Sequence, residues 1–250
     1  MKYEDKNFYG KRELAGKTVY WDGTDSKKWY KQNLKHNTQK NLLEKYNFID
    51  KKIEYKFNKQ GFRCDEFPKR KEDSIIFLGC SNTFGTGLNL QDTFSQKVAD
   101  KYKLKNYNLG IAGGSNDSCF RVGYHWIPLL KPKFVVYGQP QRHRLSILSD
   151  NKIEINFQSN SRISYQRRNL IHWYNMFIMN DANVLLQFEK NTMAIKQLCN
   201  THNIPVICLE VDNYLPAGED RDYARDLLHY GVETNNKIAE IISKQIDRIQ

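Results

Sequence analysis

The chain has 250 residues, 40% hydrophobic and 27% charged, with 13 Phe, 15 Tyr and 4 Trp, enough apolar surface for one sizeable core plus an extension, which excludes a chain disordered throughout. No window reaches the roughly 18 consecutive apolar residues of a membrane span. The opening MKYEDKNFYGKREL lacks the apolar stretch of a secretory signal, so no membrane partner and a cytoplasmic or virion-associated location are expected.

Five cysteines without a C-x-x-C pair argue against a disulfide framework or a zinc ribbon. His36, His125, His172 and His202 show no metal-ligand spacing, and neither a metal nor a cofactor is expected. The formal charge is +11. Residues 1–73 hold 19 basic and 12 acidic side chains, so most of the excess sits at the front of the chain. Such a front can bind nucleic acid or merely confer solubility.

In chain order, residues 1–73 are punctuated by polar clusters, with a strand expected at 52–58 before Gly61-Phe62-Arg63, and read as a basic layer appended to the rest of the chain. From Ser74 short apolar runs alternate with amphipathic stretches. Strands are expected at 75–78, 107–109, 134–137 and 206–209, and helices at 93–101, 116–130, 184–201 and 233–249. In the last helix Ile238, Ile241, Ile242, Ile246 and Ile249 recur at spacings of three and four. This alternation predicts an α/β fold over 74–250, a three-layer α/β/α sandwich around a mainly parallel sheet of about five strands. A stretch at 141–183, rich in Arg, Asn and aromatics, is too long for a simple connection and reads as an insertion over one end of the sheet.

The segment Ile75-Ile76-Phe77-Leu78-Gly79-Cys80-Ser81-Asn82-Thr83-Phe84-Gly85 runs an apolar strand into a glycine turn and leaves Ser81 where the strand ends. A serine there faces the crevice in which open α/β sheets bind ligands, beside turn N–H groups that can hold an oxyanion. The plainer role is a helix cap. Near the other end, Asp226-Leu227-Leu228-His229 places a carboxylate three residues before an imidazole. That spacing lets the carboxylate reach Nδ1 and leaves Nε2 to take a serine proton, although a surface ion pair has the same spacing.

Taken together and in this order, Gly79-Cys80-Ser81-Asn82-Thr83-Phe84-Gly85, Asn108-Leu109-Gly110-Ile111-Ala112-Gly113, the strand ending in Gly138, and Asp226-x-x-His229 before a C-terminal helix resemble the SGNH (GDSL-type) hydrolase superfamily. The resemblance spans Ser74 to Gln250. It implies a flavodoxin-like sheet and a triad of Ser81, His229 and Asp226. It also implies an oxyanion hole made by the Ser81 N–H, a glycine N–H matched best by Gly113 with Gly110 close by, and an Asn side chain from the third block. Two departures stand out. Cys80 replaces the usual Asp before the Ser, and the third block reads Gly138-Gln139-Pro140-Gln141, so Pro140, which has no donor, aligns with the Asn. Gln139 or Gln141 is then expected to supply the carboxamide.

Cys80 should point away from the crevice if Ser81 points in, and the remaining cysteines read as core residues. Asn82 beside the serine, and Arg142 and His143 just after a strand end, are candidates for substrate binding, a solvated loop being the plain alternative for the latter pair. Ser164-Tyr165-Gln166-Arg167-Arg168 with Trp173 and Tyr174 mixes planar rings and guanidinium groups. That suits a carbohydrate or acyl ligand, single-stranded nucleic acid, or a helix packed on the core.

The resemblance implies a serine esterase or deacylase acting through an acyl-enzyme, with an O-acylated carbohydrate as the favoured substrate and hydrolysis not separated from acyl transfer. The rival is a catalytically reduced module that binds glycan or protein. Small-molecule or glycan esters are the expected partners, nucleic acid is not, and the oligomeric state is left open.

Overall fold

The computed structural model describes residues 8–68, 72–148, 154–157, 180–210, 214–215 and 220–249. Among these no helix is long and apolar enough to cross a membrane.

The front of the chain folds around a two-strand ribbon, Thr18–Val19 (β1) antiparallel to Tyr55–Lys56 (β2), with helices Lys27–Asn33 (α1) and Asn37–Lys45 (α2) between them. Ser26 starts α1 by accepting the Trp29 N–H at 3.2 Å. The strand expected at 52–58 shrinks to two residues because its neighbours spend their N–H groups elsewhere. Glu54 donates to the Asn89 side chain (2.9 Å), and Asn58 to the Phe62 carbonyl (2.9 Å). Leu43, Phe48, Ile53, Tyr55 and Phe57 of this segment are buried together with Phe84, Leu88 and Ala224 from the rest of the chain. The front therefore shares a core with the residues that follow Ser81 and precede Asp226.

The main sheet begins with Ser74–Leu78 (β3), all five residues buried, as a strand covered on both faces requires. The short helix Ser81–Phe84 (α3) follows, then Phe94–Lys101 (α4), begun by the Thr93 hydroxyl, and Lys105–Asn108 (β4). Asn116–Leu130 (α5) opens with a capping box in which Ser115 and Ser118 each accept the other's backbone N–H. Phe134–Gln139 (β5) leads to a hairpin of Leu145–Leu148 (β6) and Glu154–Phe157 (β7). Asp181–Thr201 (α6), Val206–Glu210 (β8) and Val232–Ile246 (α7) complete the described elements.

Among the described residues four parallel strands lie in the order β4-β3-β5-β8, where about five strands are expected from sequence. Ile76, Leu78, Tyr107, Val135 and Tyr137 face α5 and α6 through Val122, Trp126, Ile127, Ile195 and Cys199. On the opposite face Ile75, Phe77, Phe134 and Val136 meet Phe94 and Val98 of α4 and Ile238, Ile242 and Ile246 of α7. These are the three layers of an α/β/α sandwich. The strand order matches the flavodoxin-like arrangement, in which the first strand runs to one neighbour and the chain then crosses to its other side. The switch falls between β3 and β5, so ligands of such a sheet lie at the carboxyl end of β3, where Ser81 stands.

Candidate active site

Cys80 occupies the N-cap position of α3 and Ser81 its first turn, so the serine is not the cap. Cys80 is fully buried among the apolar residues facing α4 and α7, as expected if Ser81 points the other way. Ser81 is buried to 8% exposure, and its hydroxyl lies 2.7 Å from Nε2 of His229. The other imidazole nitrogen, Nδ1, lies 2.6 Å from Oδ2 of Asp226. A serine and a histidine 148 positions apart are thus joined in one hydrogen-bonded line with the carboxylate. With the proton on Nδ1 held by Asp226, Nε2 is the acceptor for the serine proton.

The Asp226 side chain carries four donors. Oδ1 accepts the backbone N–H groups of Leu228 and His229, each at 3.1 Å, while Oδ2 accepts His229 Nδ1–H and the Thr24 hydroxyl, each at 2.6 Å. Burial alone would raise this carboxyl, but donation from His229, its charge and the Thr24 hydroxyl outweigh burial and hold it below the usual carboxylate range. The loop is further set by Leu227, whose φ of 57° lies in the left-handed region, a strained conformation for a branched side chain.

The turn that carries Ser81 is clamped from two sides. Asn108 donates to the Thr83 carbonyl at 2.7 Å and accepts the Gly110 N–H at 3.0 Å, tying the turn to the loop after β4. Arg63, 1% exposed, donates to the carbonyls of Phe84 (3.1 Å), Gly85 (2.7 Å), Leu88 (2.5 Å) and Glu54 (2.8 Å). Burial lowers this guanidinium to about 10, which still leaves it charged at neutral pH. Sequence reading did not single out Arg63 or Thr24 for the site, and quoted Asn108 only as the start of the second block. A polar side chain inside an otherwise loop-like stretch carries no local signal of burial.

The remaining predicted residues divide. Gly113 takes φ 80° in the loop between β4 and α5. Gly110 sits flush against the turn that carries Ser81, with 2.6 Å between the position of an added Cβ and the Phe84 nitrogen. Gln139 is buried and directs its amide donor to Thr192 of α6 at 2.7 Å. Gln141 lies half-buried in the turn after Pro140, its carbonyl accepting the Arg144 N–H at 3.0 Å. A residue missed in this region is Asn116, which donates to the Pro140 carbonyl (3.2 Å) and accepts the Tyr137 hydroxyl (2.6 Å). Asn82 is half-buried beside Ser81. Arg142 is paired with Glu210 at 2.8 Å and lies over the Phe188 ring, so its charge is already matched. His143 is half-buried in the same turn. Trp173, with Tyr174 and 164–168, lies outside the described residues. Among the described residues no group of three His, Cys, Asp or Glu side chains is arranged to hold a metal ion.

No family model and no curated protein sequence matches the chain. Solved structures do. A psychrotrophic esterase from Pseudoalteromonas sp. is similar at 14% identity over 71% of this chain and 98% of that one, with a TM-score of 0.38. A GDSL-like lipase from Bacteroides thetaiotaomicron is similar at 13% identity over 74% and 93%, with a TM-score of 0.36. A family two carbohydrate esterase from Clostridium thermocellum, solved with cellohexaose, is similar at 14% identity over 72% and 65%, with a TM-score of 0.38.

Proposed function

We propose that the chain is a serine esterase or deacylase of the SGNH type. The observation that carries this reading is the unbroken line Ser81 Oγ, His229 Nε2, His229 Nδ1, Asp226 Oδ2, with spacings of 2.7 and 2.6 Å at its two hydrogen bonds. A serine hydroxyl is a weak nucleophile until a base takes its proton. In the proposed sequence Ser81 Oγ attacks an ester carbonyl and His229 Nε2 takes the hydroxyl proton. His229 then passes that proton to the departing alkoxide, leaving an acyl-serine. Water attacks the acyl-serine with His229 again as base, and the acid product leaves. Asp226 holds the imidazole in the tautomer this requires and stabilises it when charged.

The Ser81 and Gly113 N–H groups are the proposed oxyanion donors. An acyl group on a sugar is the proposed substrate class, resting on the resemblance of the sequence blocks. Gln139, one of whose two amide N–H groups goes to Thr192, and Gln141 are the carboxamides proposed for the third donor. Loss of one oxyanion donor typically costs about 10²- to 10³-fold in rate. A slow esterase is expected where neither carboxamide reaches the oxyanion.

The altered third block also favours the rival reading, a binding module with little turnover. Hydrolysis of p-nitrophenyl acetate by the wild type and by Ser81→Ala separates them. A rate that disappears with the hydroxyl supports the esterase, and equal rates support the binder.

A further inference from the structure

Among the described residues, the segment ahead of residue 74 reaches the proposed triad through Thr24. Asp22, Gly23, Thr24 and Asp25 form a two-residue hairpin turn, closed by Asp22 N–H to the Asp25 carbonyl at 2.9 Å and Asp25 N–H to the Asp22 carbonyl at 3.1 Å. Gly23 takes φ 61°, the conformation such a turn needs at its first central position. Thr24 is the second, and its hydroxyl donates to Oδ2 of Asp226 across 202 positions of sequence.

Both residues flanking this tip are anchored by their side chains. Asp22 accepts Lys11 Nζ at 2.5 Å. Asp25, 1% exposed, accepts Arg225 through both oxygens at 2.8 and 2.7 Å and the Tyr55 hydroxyl at 2.5 Å. The Tyr55 oxygen in turn accepts the Gly87 N–H at 2.8 Å, and the Gly87 carbonyl accepts the Arg225 N–H at 3.2 Å. The turn is therefore braced against the loop that follows the nucleophile and against the residue next to Asp226. An exposed threonine at a free hairpin tip would lose rotamer entropy in holding one partner. With the backbone already fixed, that cost falls to a single hydroxyl rotor.

We infer that Thr24 is a positioning residue for the acid of the triad, so that the N-terminal segment is part of the catalytic apparatus and not an appendage. This inference rests on the esterase reading above. Oδ2 of Asp226 takes its two hydrogen bonds from His229 and Thr24, and the second fixes the carboxylate plane so that the first points at Nδ1. Without the hydroxyl the carboxylate keeps its partners on Oδ1 but can rotate away from the line to Ser81. The proton transfer step suffers and substrate binding does not, because Thr24 acts through Asp226.

The test uses the full chain and an alkyl fluorophosphonate. Ser81 Oγ bonds to phosphorus, fluoride leaves, and the hydroxyl proton goes to His229. Wild type is expected to label at Ser81, located by peptide mass spectrometry. If it does not label, the triad reading falls and this inference falls with it. Given labelling, Thr24→Val is expected to lower kinact about 10-fold or more while KI stays within about twofold. Thr24→Ser, which restores the hydroxyl, is expected to recover most of the rate. An unchanged kinact in Thr24→Val, or a loss that Thr24→Ser does not repair, overturns the role of Thr24 and leaves the triad standing.

Discussion

The guanidinium of Arg225 and the carboxylate of Asp25 meet through two hydrogen bonds, both side chains almost fully buried, across 200 positions of sequence. Two further N–H groups of Arg225 go to the carbonyls of Lys51 (3.0 Å) and Tyr20 (2.8 Å), and its flat face lies 3.9 Å from the Trp21 ring centre. A buried pair so fully bonded is costly to break from one side only. Removing either partner leaves the other charge dry and uncompensated, which typically costs about 3–5 kcal/mol.

Arg225→Met and Asp25→Asn should therefore each lower the unfolding free energy measured in urea by an amount of that order. The double variant Arg225→Met with Asp25→Leu should lose clearly less than the sum of the singles, because it strands no charge. Additive losses would mean that the two side chains act independently.

Arg63 supports a second prediction. Its donors serve the carbonyls of Glu54, Phe84, Gly85 and Leu88, and the Tyr55 ring packs 4.4 Å from the guanidinium carbon. Lysine is shorter at its head, has three donors around one atom and cannot reproduce the planar fork. Arg63→Lys should destabilise the fold by more than about 2 kcal/mol and Arg63→Met by more still, since hydrogen bonds from a charged group are worth about 1.5–3 kcal/mol each. Denaturant unfolding measures both, and a near-neutral Arg63→Lys would show that only the charge matters there.

The parallel sheet is legible in sequence because β3, β5 and β8 are short, largely apolar runs, and the terminal helix because its isoleucines repeat at helical spacing. Strand β4 is read two residues late, since Lys105 and Asn106 disguise its start. The Asp226 to His229 contact is legible because the partners stand three positions apart on one loop, whereas the Thr24 hydroxyl that also holds the carboxylate comes from 202 positions away and leaves no local signal. The front segment is opaque for the opposite reason. Asp25, Arg63 and Arg225 look like solvated charges until partners distant in sequence bury them, and β1 and β2 are too short to show alternation. In the third block Gln139 lies on a buried strand end facing α6, where Thr192 takes one of its two amide N–H groups, a contact with no local signal in the sequence.

Gly110 tests how closely the nucleophile turn is packed. A Cβ there would stand 2.6 Å from the Phe84 nitrogen and 3.0 Å from the Thr83 carbonyl carbon, both backbone atoms of α3 that no side-chain rotation can move aside. Gly110→Ala should cost about 1–3 kcal/mol as overpacking. It should also slow fluorophosphonate labelling, because the turn carrying Ser81 has to shift by several tenths of an ångström. Gly110→Ala with wild-type unfolding and wild-type labelling would show that the loop after β4 yields instead of α3.

The carboxyl of Asp226 gives the fold a pH dependence of known sign. Burial opposes ionisation, but the His229 and Thr24 interactions win and the folded value lies below the ordinary one. The unfolded carboxyl titrates near about 3.9, so between the two values the unfolded chain binds more protons than the native one. The ionised group therefore contributes stability that is fully present above the unfolded value and is lost as the pH falls through the folded value. Asp226→Asn has no such proton to bind. Urea unfolding of the two proteins should show a stability gap that is constant above about pH 5 and narrows progressively in stronger acid. A gap independent of pH would mean that the hydrogen bonds to Asp226 favour its neutral form as much as its charged one.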